Sequence, residues 1–228
     1  MKKAKNSVLL TRSIEENAKI KEILKDSPIQ IIECPLIHYQ LSSVDWDRLK
    51  LYDYVIVTSK FLAKCFPVNN NLNLKIFVVG KVSASILQEK GYKIELCTEN
   101  ASQIKNYLNQ QETLRAKNII YFCGNYISTI MPNFVEQYEA YKVSYQHDLT
   151  ADQIASFKMP IAYIMIYSEN CAKTLLRIIV KYNLQGYLNN TIIISISDKV
   201  DKILNPLCTK IVIRSTNEQM ISYLKANI

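Results

Sequence analysis

Short apolar runs of strand length recur along the whole chain, with helix-like segments between them. Most runs are continuously apolar and rich in β-branched or aromatic residues, as in strands that are covered on both faces. Such alternation predicts parallel sheets flanked by helices, so we assign the chain to the α/β class. The predicted strands are SVLLT (7–11), IQIIECPLI (29–37), YVIVTS (54–59), KIFVVG (75–80), YKIELC (92–97), NIIYFCG (118–124), EAYKVSY (139–145), AYIMIYS (162–168), TIIISIS (191–197) and KIVIRS (210–215).

The two halves of the chain carry similar segments in the same order. YVIVTSKFLAKCF at 54–66 matches YIMIYSENCAKTL at 163–175, and ENASQIKNYL at 99–108 matches STNEQMISYL at 215–224. Between them, VVGKVSASIL from position 78 matches SISDKVDKIL from position 195. A repeat this long is not a solenoid and indicates a duplicated α/β unit.

Two further segments complete each half. SVLLTRSIEENAKIKEIL at 7–24 and NIIYFCGNYISTIMPNF at 118–134 are each predicted to form a strand, a turn and a helix. Gly91 is predicted to end a helix, and Gly80 and Gly124 are predicted to end strands. Two similar α/β domains therefore account for a chain of 228 residues.

Composition is that of a globular protein, with 49% hydrophobic and 21% charged residues. No apolar tract reaches the roughly 18 residues of a membrane span, and the apolar run near the start is too short for a secretory signal, so we expect a cytoplasmic protein. The net charge of +8 could attract nucleic acid, an anionic membrane or a polyacidic small molecule, or it could reflect only a lysine-rich composition.

Cysteines and histidines give no sign of a metal site or a nucleophilic triad. No C-x-x-C pair occurs, and His38 and His147 lack partners at any motif spacing. Nucleotide-binding glycine motifs are also missing. We expect six reduced, buried thiols, at Cys34, Cys65, Cys97, Cys123, Cys171 and Cys208.

Polar residues follow several predicted strands at their carboxyl ends, where open α/β sheets bind ligands. Hydroxyls and amides here could bind an anion, or they could simply cap helices, and the cations could pair with carboxylates or be solvated. These residues are Arg12, Thr58, Ser59, Lys60, Gly80, Lys81, Ser83 and Gly124.

The whole chain resembles the uroporphyrinogen-III synthase family. The family pattern is a strand ending in T-S, then V-G-x-x-T-A-x-x-L, then C-G-N with a proline further on, then a tyrosine before the chain re-enters its first domain. VIVTSKF, VVGKVSASIL, FCGNYISTIMP and EAYKVSY follow this order, with Ser83 in place of the usual threonine. The second half departs from the family's I-G-P-x-T-A, because Ser197 replaces the glycine and Val200 the threonine.

The resemblance implies two α/β domains joined by a two-stranded linker, with a cleft between them. One domain would be 1–34 plus 150–228 and the other 42–136, with linker strands at 35–41 and 137–149. It further implies a monomer that needs no cofactor or metal. We expect no nucleic-acid partner, because the sequence has no basic cluster or aromatic platform, and no membrane partner.

The reaction implied by the resemblance is the cyclisation of hydroxymethylbilane to uroporphyrinogen III, with loss of water and inversion of the last pyrrole ring through a spiro intermediate. Tyr141 would donate a hydrogen bond or proton to the leaving hydroxyl. Substrate-binding residues would be Arg12, Thr58, Ser59, Lys60, Gly80, Lys81, Ser83, Gly124, Asn125, Ser168 and Lys199. The alternative is a non-catalytic two-lobed protein that binds a polyanionic small molecule; nucleic-acid binding has only the net charge in its favour.

Overall fold

A computed structural model describes residues 6–69, 73–207 and 210–228. Its strands are β1 (Ser7–Leu10), β2 (Gln30–Glu33), β3 (Ile37–Leu41), β4 (Tyr54–Val57), β5 (Lys75–Val79), β6 (Lys93–Thr98), β7 (Ile119–Gly124), β8 (Val135–Tyr145), β9 (Tyr163–Ile166), β10 (Ile192–Ser195) and β11 (Lys210–Ile213). Its α-helices are α1 (Ile14–Leu24), α2 (Lys60–Cys65), α3 (Lys81–Glu89), α4 (Ala101–Gln110), α5 (Ala151–Phe157), α6 (Glu169–Lys181), α7 (Asp198–Leu204) and α8 (Asn217–Ala226). The α/β class predicted from the sequence is confirmed.

The chain divides into two compact units. Unit 1 is the chain up to His38 together with the chain from Ser144, and unit 2 is Tyr39–Val143. Both crossing points lie inside the segments predicted as linkers, 35–41 and 137–149. The predicted domain limits themselves, and the predicted cleft, stay predictions.

Unit 1 contains a five-stranded sheet in the order β11-β10-β9-β1-β2, with every neighbouring pair parallel. Residues along β1 alternate between two cores, as a strand's period of two requires. Leu9 packs with residues of α6 and α7, whereas Val8 and Leu10 pack with residues of α1 and α8. The sheet is therefore covered on both faces, which explains its continuously apolar strands.

The second sheet has the strand order β3-β8-β7-β4-β5-β6, and each neighbouring pair from β8 to β6 in this order is parallel. It belongs to unit 2 except for the first residues of β3 and the last residues of β8, which belong to unit 1. Val55 and Val57 face α2 and α3, and Ile56 faces α4. The predicted duplication is confirmed by the strand orders, because β4, β5 and β6 take the same places in this sheet as β9, β10 and β11 take in the other.

Two predictions about local structure are wrong. No helix follows β7, since residues 125–134 form turns and bends; the β-branched Ile127, Thr129 and Ile130 and then Pro132 disfavour a helix there. Cys97 is exposed rather than buried, because it lies on β6, an edge strand with alternating exposure.

The other cysteines differ in burial. Cys34, Cys123 and Cys171 are buried free thiols and Cys65 is partly buried, while Cys208 lies outside the described residues. Burial raises the pKa of Cys34 to about 12, so its thiol stays protonated at neutral pH. Among the described helices, none is long and apolar enough to cross a membrane.

Candidate functional site

The carboxyl ends of β4, β5 and β7 meet at one edge of the unit 2 sheet, because these strands are parallel, and Tyr141 of β8 pairs with the last residue of β7 there. Gly80 turns the chain from β5 into α3 with φ of +86°, a conformation that favours glycine. Ser59 caps α2, and its Oγ accepts a hydrogen bond from the Leu62 N–H at 3.5 Å. Capping, one of the two roles that the sequence left open for Ser59, is therefore observed.

Tyr141 lies opposite Gly124 at this edge. The pairing of β7 with β8 shifts by one residue between Cys123 and Gly124, so Gly124 pairs with Tyr141. The Tyr141 side chain packs against Phe61, with ring centroids 5.5 Å apart. Only 8% of Tyr141 is exposed, so its phenol is held in a largely dry environment.

The side chain of Ser59 is a hydrogen-bonding neighbour of the Tyr141 hydroxyl. Ser59 Oγ accepts from Leu62 and keeps its own hydrogen, which it can donate to the Tyr141 oxygen; the Tyr141 hydrogen is then available to another acceptor. Burial raises the pKa of Tyr141; the hydrogen bond from Ser59 lowers it, and the neighbouring Cys123 raises it. Tyr141 is therefore a neutral donor at physiological pH.

Thr58 takes part in a second hydroxyl pair. Its Oγ1 lies 3.0 Å from the hydroxyl of Tyr121, a residue of β7. Burial raises the pKa of Tyr121, so this phenol is also neutral. Sequence reasoning missed Tyr121, because it lies in the middle of an apolar run that marks it as a core residue.

Asn125 follows β7, and its side-chain amide forms hydrogen bonds with the backbone of β8. Its Oδ1 accepts from the Val143 N–H at 2.8 Å, and its Nδ2 donates to the Val143 carbonyl at 3.1 Å. Val143 is two residues beyond Tyr141 on the same strand. The amide of Asn125 therefore fixes β8 close to the phenol.

The remaining candidates in unit 2 differ in accessibility. Lys81 is exposed at the start of α3, and Lys60 is partly exposed at the start of α2. Ser83 is only 4% exposed and lies beside Gly80, whose added Cβ would be 4.0 Å from its Oγ. Ser83 is thus the least accessible of the hydroxyls predicted to bind substrate.

Unit 1 gathers a second set of candidates at the carboxyl edge of its own sheet. Arg12 follows β1 and stacks on Tyr167, with its Cζ 4.5 Å from the ring centroid. Its Nη2 forms an ion pair with Glu16 at 3.2 Å. A substrate carboxylate at Arg12 would therefore compete with Glu16, a residue that sequence reasoning did not single out.

Ser168 and Lys199 start the two helices that follow β9 and β10. Ser168 Oγ accepts from the Cys171 N–H at 3.2 Å and so caps α6, a helix of 13 residues. Lys199 is exposed, and its Nζ lies 3.8 Å from Glu169 Oε1, a loose surface pair.

The departure from the family pattern in the second half has a structural explanation. Ser197 occupies the place of Gly80 in the repeat, but its φ is −162°, an extended conformation open to any residue. Val200 occupies the place of Ser83 and is buried in the core of unit 1. This turn therefore needs no glycine, and the hydroxyl position has become a packing position.

Arg214 is a cation that sequence reasoning missed. It follows β11, stacks on Tyr223 with its Cζ 4.6 Å from the ring centroid, and lines a surface pocket of about 490 Å³ with Ser215 and Gln219. The rule that ligands bind at the carboxyl ends of strands would have found Arg214 in KIVIRS, had the rule been applied to that last strand.

In the described part of the chain, no group of three or more His, Cys, Asp or Glu side chains could hold a metal ion.

We expect Ser168→Ala to lower the free energy of unfolding by about 1 kcal/mol, the typical value of a lost cap. If Ser168 also binds a substrate carboxylate, KM should rise in addition. Thr150 is the matched control, because it caps α5 with the same 3.2 Å bond and does not follow a strand of the unit 1 sheet. Chemical denaturation and steady-state kinetics on both variants check this, and an equal KM in the two variants would leave Ser168 with capping alone.

These features define a duplicated α/β protein whose hydroxyls, amides and cations gather at the carboxyl ends of parallel strands. A family model described as uroporphyrinogen-III synthase HemD matches residues 18–222. The chain therefore belongs to the uroporphyrinogen-III synthase family, whose members are lyases that cyclise hydroxymethylbilane.

Individual proteins match almost the whole chain. An uncharacterized protein of Rickettsia prowazekii strain Madrid E is 29% identical over 90% of this chain and 92% of its own length. The uroporphyrinogen-III synthetase structure from Helicobacter pylori 26695 matches with a TM-score of 0.63 and 16% identity, over 98% of this chain and 100% of that one. A mutant uroporphyrinogen III synthase from the extreme thermophile Thermus thermophilus matches with a TM-score of 0.58 and 10% identity, over 97% of each chain. At these identities the two structures show that the fold is shared.

Proposed function

We propose that this chain is a uroporphyrinogen-III synthase, which converts hydroxymethylbilane into uroporphyrinogen III and water in haem biosynthesis. The observation that carries the proposal is the family match over residues 18–222, which includes the segments with Tyr141 and its neighbours. The geometry around Tyr141 supplies the chemistry.

Tyr141 is the proposed proton donor. When the carbon–oxygen bond of the hydroxymethyl group breaks, the oxygen leaves with the bonding electrons and takes a proton, so that water is released. A neutral phenol supplies that proton or hydrogen bond, and Ser59 can donate in turn to the phenol oxygen. The resulting cationic carbon bonds to the substituted α-position of the last ring and gives the spiro intermediate. The older bond from that position to the neighbouring methylene carbon then breaks and re-forms at the free α-position of the same ring, which inverts the ring. The free α-position loses its hydrogen as a proton, which balances the proton taken up by the leaving oxygen.

Binding and positioning carry the rest of the reaction, because hydroxymethylbilane closes unaided to the uninverted type I isomer. The substrate has eight carboxylates, which amides, hydroxyls and cations at strand ends can hold. In unit 2 these are Thr58, Ser59, Lys60, Gly80, Lys81 and Ser83, and in unit 1 they are Arg12, Ser168 and Lys199.

The product isomer tests the function directly. Hydroxymethylbilane is added to an excess of the protein. The products are then oxidised to porphyrins, and the isomers are separated by chromatography. We expect mainly type III product, whereas heat-inactivated protein should leave type I. If the native protein also leaves only type I, the proposed activity is wrong and the passive polyanion-binding alternative is favoured.

The cytoplasmic location, the monomeric state and the lack of nucleic-acid binding stay predictions. Filter binding at two salt concentrations tests the last of them, because affinity that comes from phosphate contacts falls steeply with salt.

A further inference from the structure

We propose that Gly124 and Asn125 are positioning residues for the Tyr141 phenol, instead of contacts for the substrate as the resemblance implied. The inference rests on the proposed function for its catalytic consequence, but its structural part stands on contacts within unit 2 alone.

Gly124 provides the space in which the Tyr141 ring lies. A Cβ at position 124 would lie 2.7 Å from both Cε2 and Cζ of Tyr141 and 3.1 Å from its hydroxyl oxygen. Distances this short exclude any side chain unless the ring moves. The ring has little room to move, since it is buried and packs against Phe61. The space taken by the Tyr141 ring therefore requires glycine at position 124. Backbone conformation does not require it, because Gly80 and Gly91 have positive φ values and Gly124 does not.

Asn125 holds the strand that carries the ring. A side-chain amide that accepts from an N–H and donates to the carbonyl of the same residue pairs as a backbone neighbour in a sheet would. β7 ends at Gly124, so the amide of Asn125 continues its pairing with β8 for one more step. The register shift at Gly124 brings Tyr141 opposite the glycine, and the bonds to Val143 keep it there.

The bonding of Asn125 also disfavours a role in binding carboxylates. One hydrogen of its Nδ2 is bonded to the Val143 carbonyl, and its Oδ1, which accepts from the Val143 N–H, would repel a carboxylate. The C-G-N sequence is thus explained as a unit: the glycine admits the ring and the asparagine fixes its strand.

Kinetics distinguish positioning from substrate contact. For Asn125→Ala we expect kcat to fall by about 10- to 100-fold with KM within about twofold, because a small misplacement of a catalytic group is costly. The control is Asn69→Ala, which removes another exposed amide-to-backbone bond in unit 2, from Asn69 Nδ2 to the Gly91 carbonyl at 3.0 Å, and should keep kcat. In a Tyr141→Phe background, Asn125→Ala should lower kcat little further. A raised KM with unchanged kcat, or full additivity with Tyr141→Phe, would overturn the proposal.

A stability cycle tests the same contact without any activity. Gly124→Ala should lower the unfolding temperature in the native protein but not in a Tyr141→Ala background, where the ring is gone. If Gly124→Ala does not fold by itself, its recovery in the Tyr141→Ala background supports the proposal equally. An equal loss in both backgrounds overturns it. Since this cycle does not depend on turnover, a native protein that forms no type III product would refute the proposed function and leave the positioning of Tyr141 to be judged by the cycle.

Discussion

The Tyr141→Phe variant is expected to form uroporphyrinogen III at least about 100 times more slowly than the native enzyme, the lower end of the contribution that a positioned proton donor makes. Phenylalanine keeps the ring that lies over Gly124 and packs against Phe61, so the fold should be unaffected. Only the hydroxyl is lost, and with it the proton for the leaving oxygen and the bond from Ser59. Because unaided closure then competes, the type III fraction should also fall.

Tyr138→Phe is the matched control for this variant. Tyr138 lies on the same strand, three residues before Tyr141, and its hydroxyl donates to the Ser43 carbonyl at 3.3 Å. We expect its rate and isomer ratio to be those of the native enzyme. Full rate and full type III product from Tyr141→Phe would show that another group assists the departure of the hydroxyl.

The reaction rate of the native enzyme should depend on pH through the protonation of the Tyr141 phenol. Burial raises the pKa of Tyr141 above the value near 10 of a free tyrosine. The protonated phenol is the active form, so its contribution is fully present below its pKa and is lost as the pH rises through it. The rate should therefore show no loss from this group between neutral pH and about pH 10, and a fall above it that Tyr141→Phe does not show.

Phe66→Ala is expected to destabilise unit 2 by about 3–5 kcal/mol, the range for deleting a buried aromatic ring. Phe66 is 2% exposed, and its ring centroid lies 5.0 Å from Trp46, 5.6 Å from Tyr92 and 5.8 Å from Phe122. Loss of the ring removes three edge-on aromatic contacts and leaves a cavity in a rigid core. Trp46 is the single tryptophan of the chain, so its fluorescence follows the unfolding of this unit in denaturant.

Leu51→Ala provides the comparison for Phe66→Ala. Leu51 belongs to the same unit but is 64% exposed, so its truncation should change the unfolding free energy by no more than about 0.5 kcal/mol. Equal effects of the two substitutions would contradict the packing of Trp46 against Phe66.

The sequence was most informative where one physical rule governs a long segment. Continuous apolar runs predicted the strands of both sheets, and the matched segments predicted the duplication that the strand orders confirm. The positive φ of Gly80 was predictable as well, because glycine directly after an apolar run marks a turn. Membership of the family could be inferred from the order of motifs that are individually weak.

The roles of residues that depend on contacts between distant segments could not be predicted from the sequence. The role of Gly124 follows from a ring 17 positions away in the chain, and Asn125 bonds to a residue 18 positions away. The segment after β7 was predicted to be a helix by analogy with its partner in the repeat, but its β-branched residues and Pro132 disfavour a helix there. Arg12 looked like a free cation because its partners, Glu16 and Tyr167, meet it only in the folded unit.

The position of β1 affects the order in which the two units can be completed during synthesis. β1 is an interior strand of its sheet, yet one of its neighbours is β9, so that Val8 pairs with Tyr163. Unit 2 is one continuous stretch and can close its core as soon as it leaves the ribosome, while the first strand must wait for residues made more than 150 positions later. In the nascent chain, β1 therefore keeps an open hydrogen-bonding edge until β9 is translated, which leaves this apolar strand available for pairing with other chains during that interval.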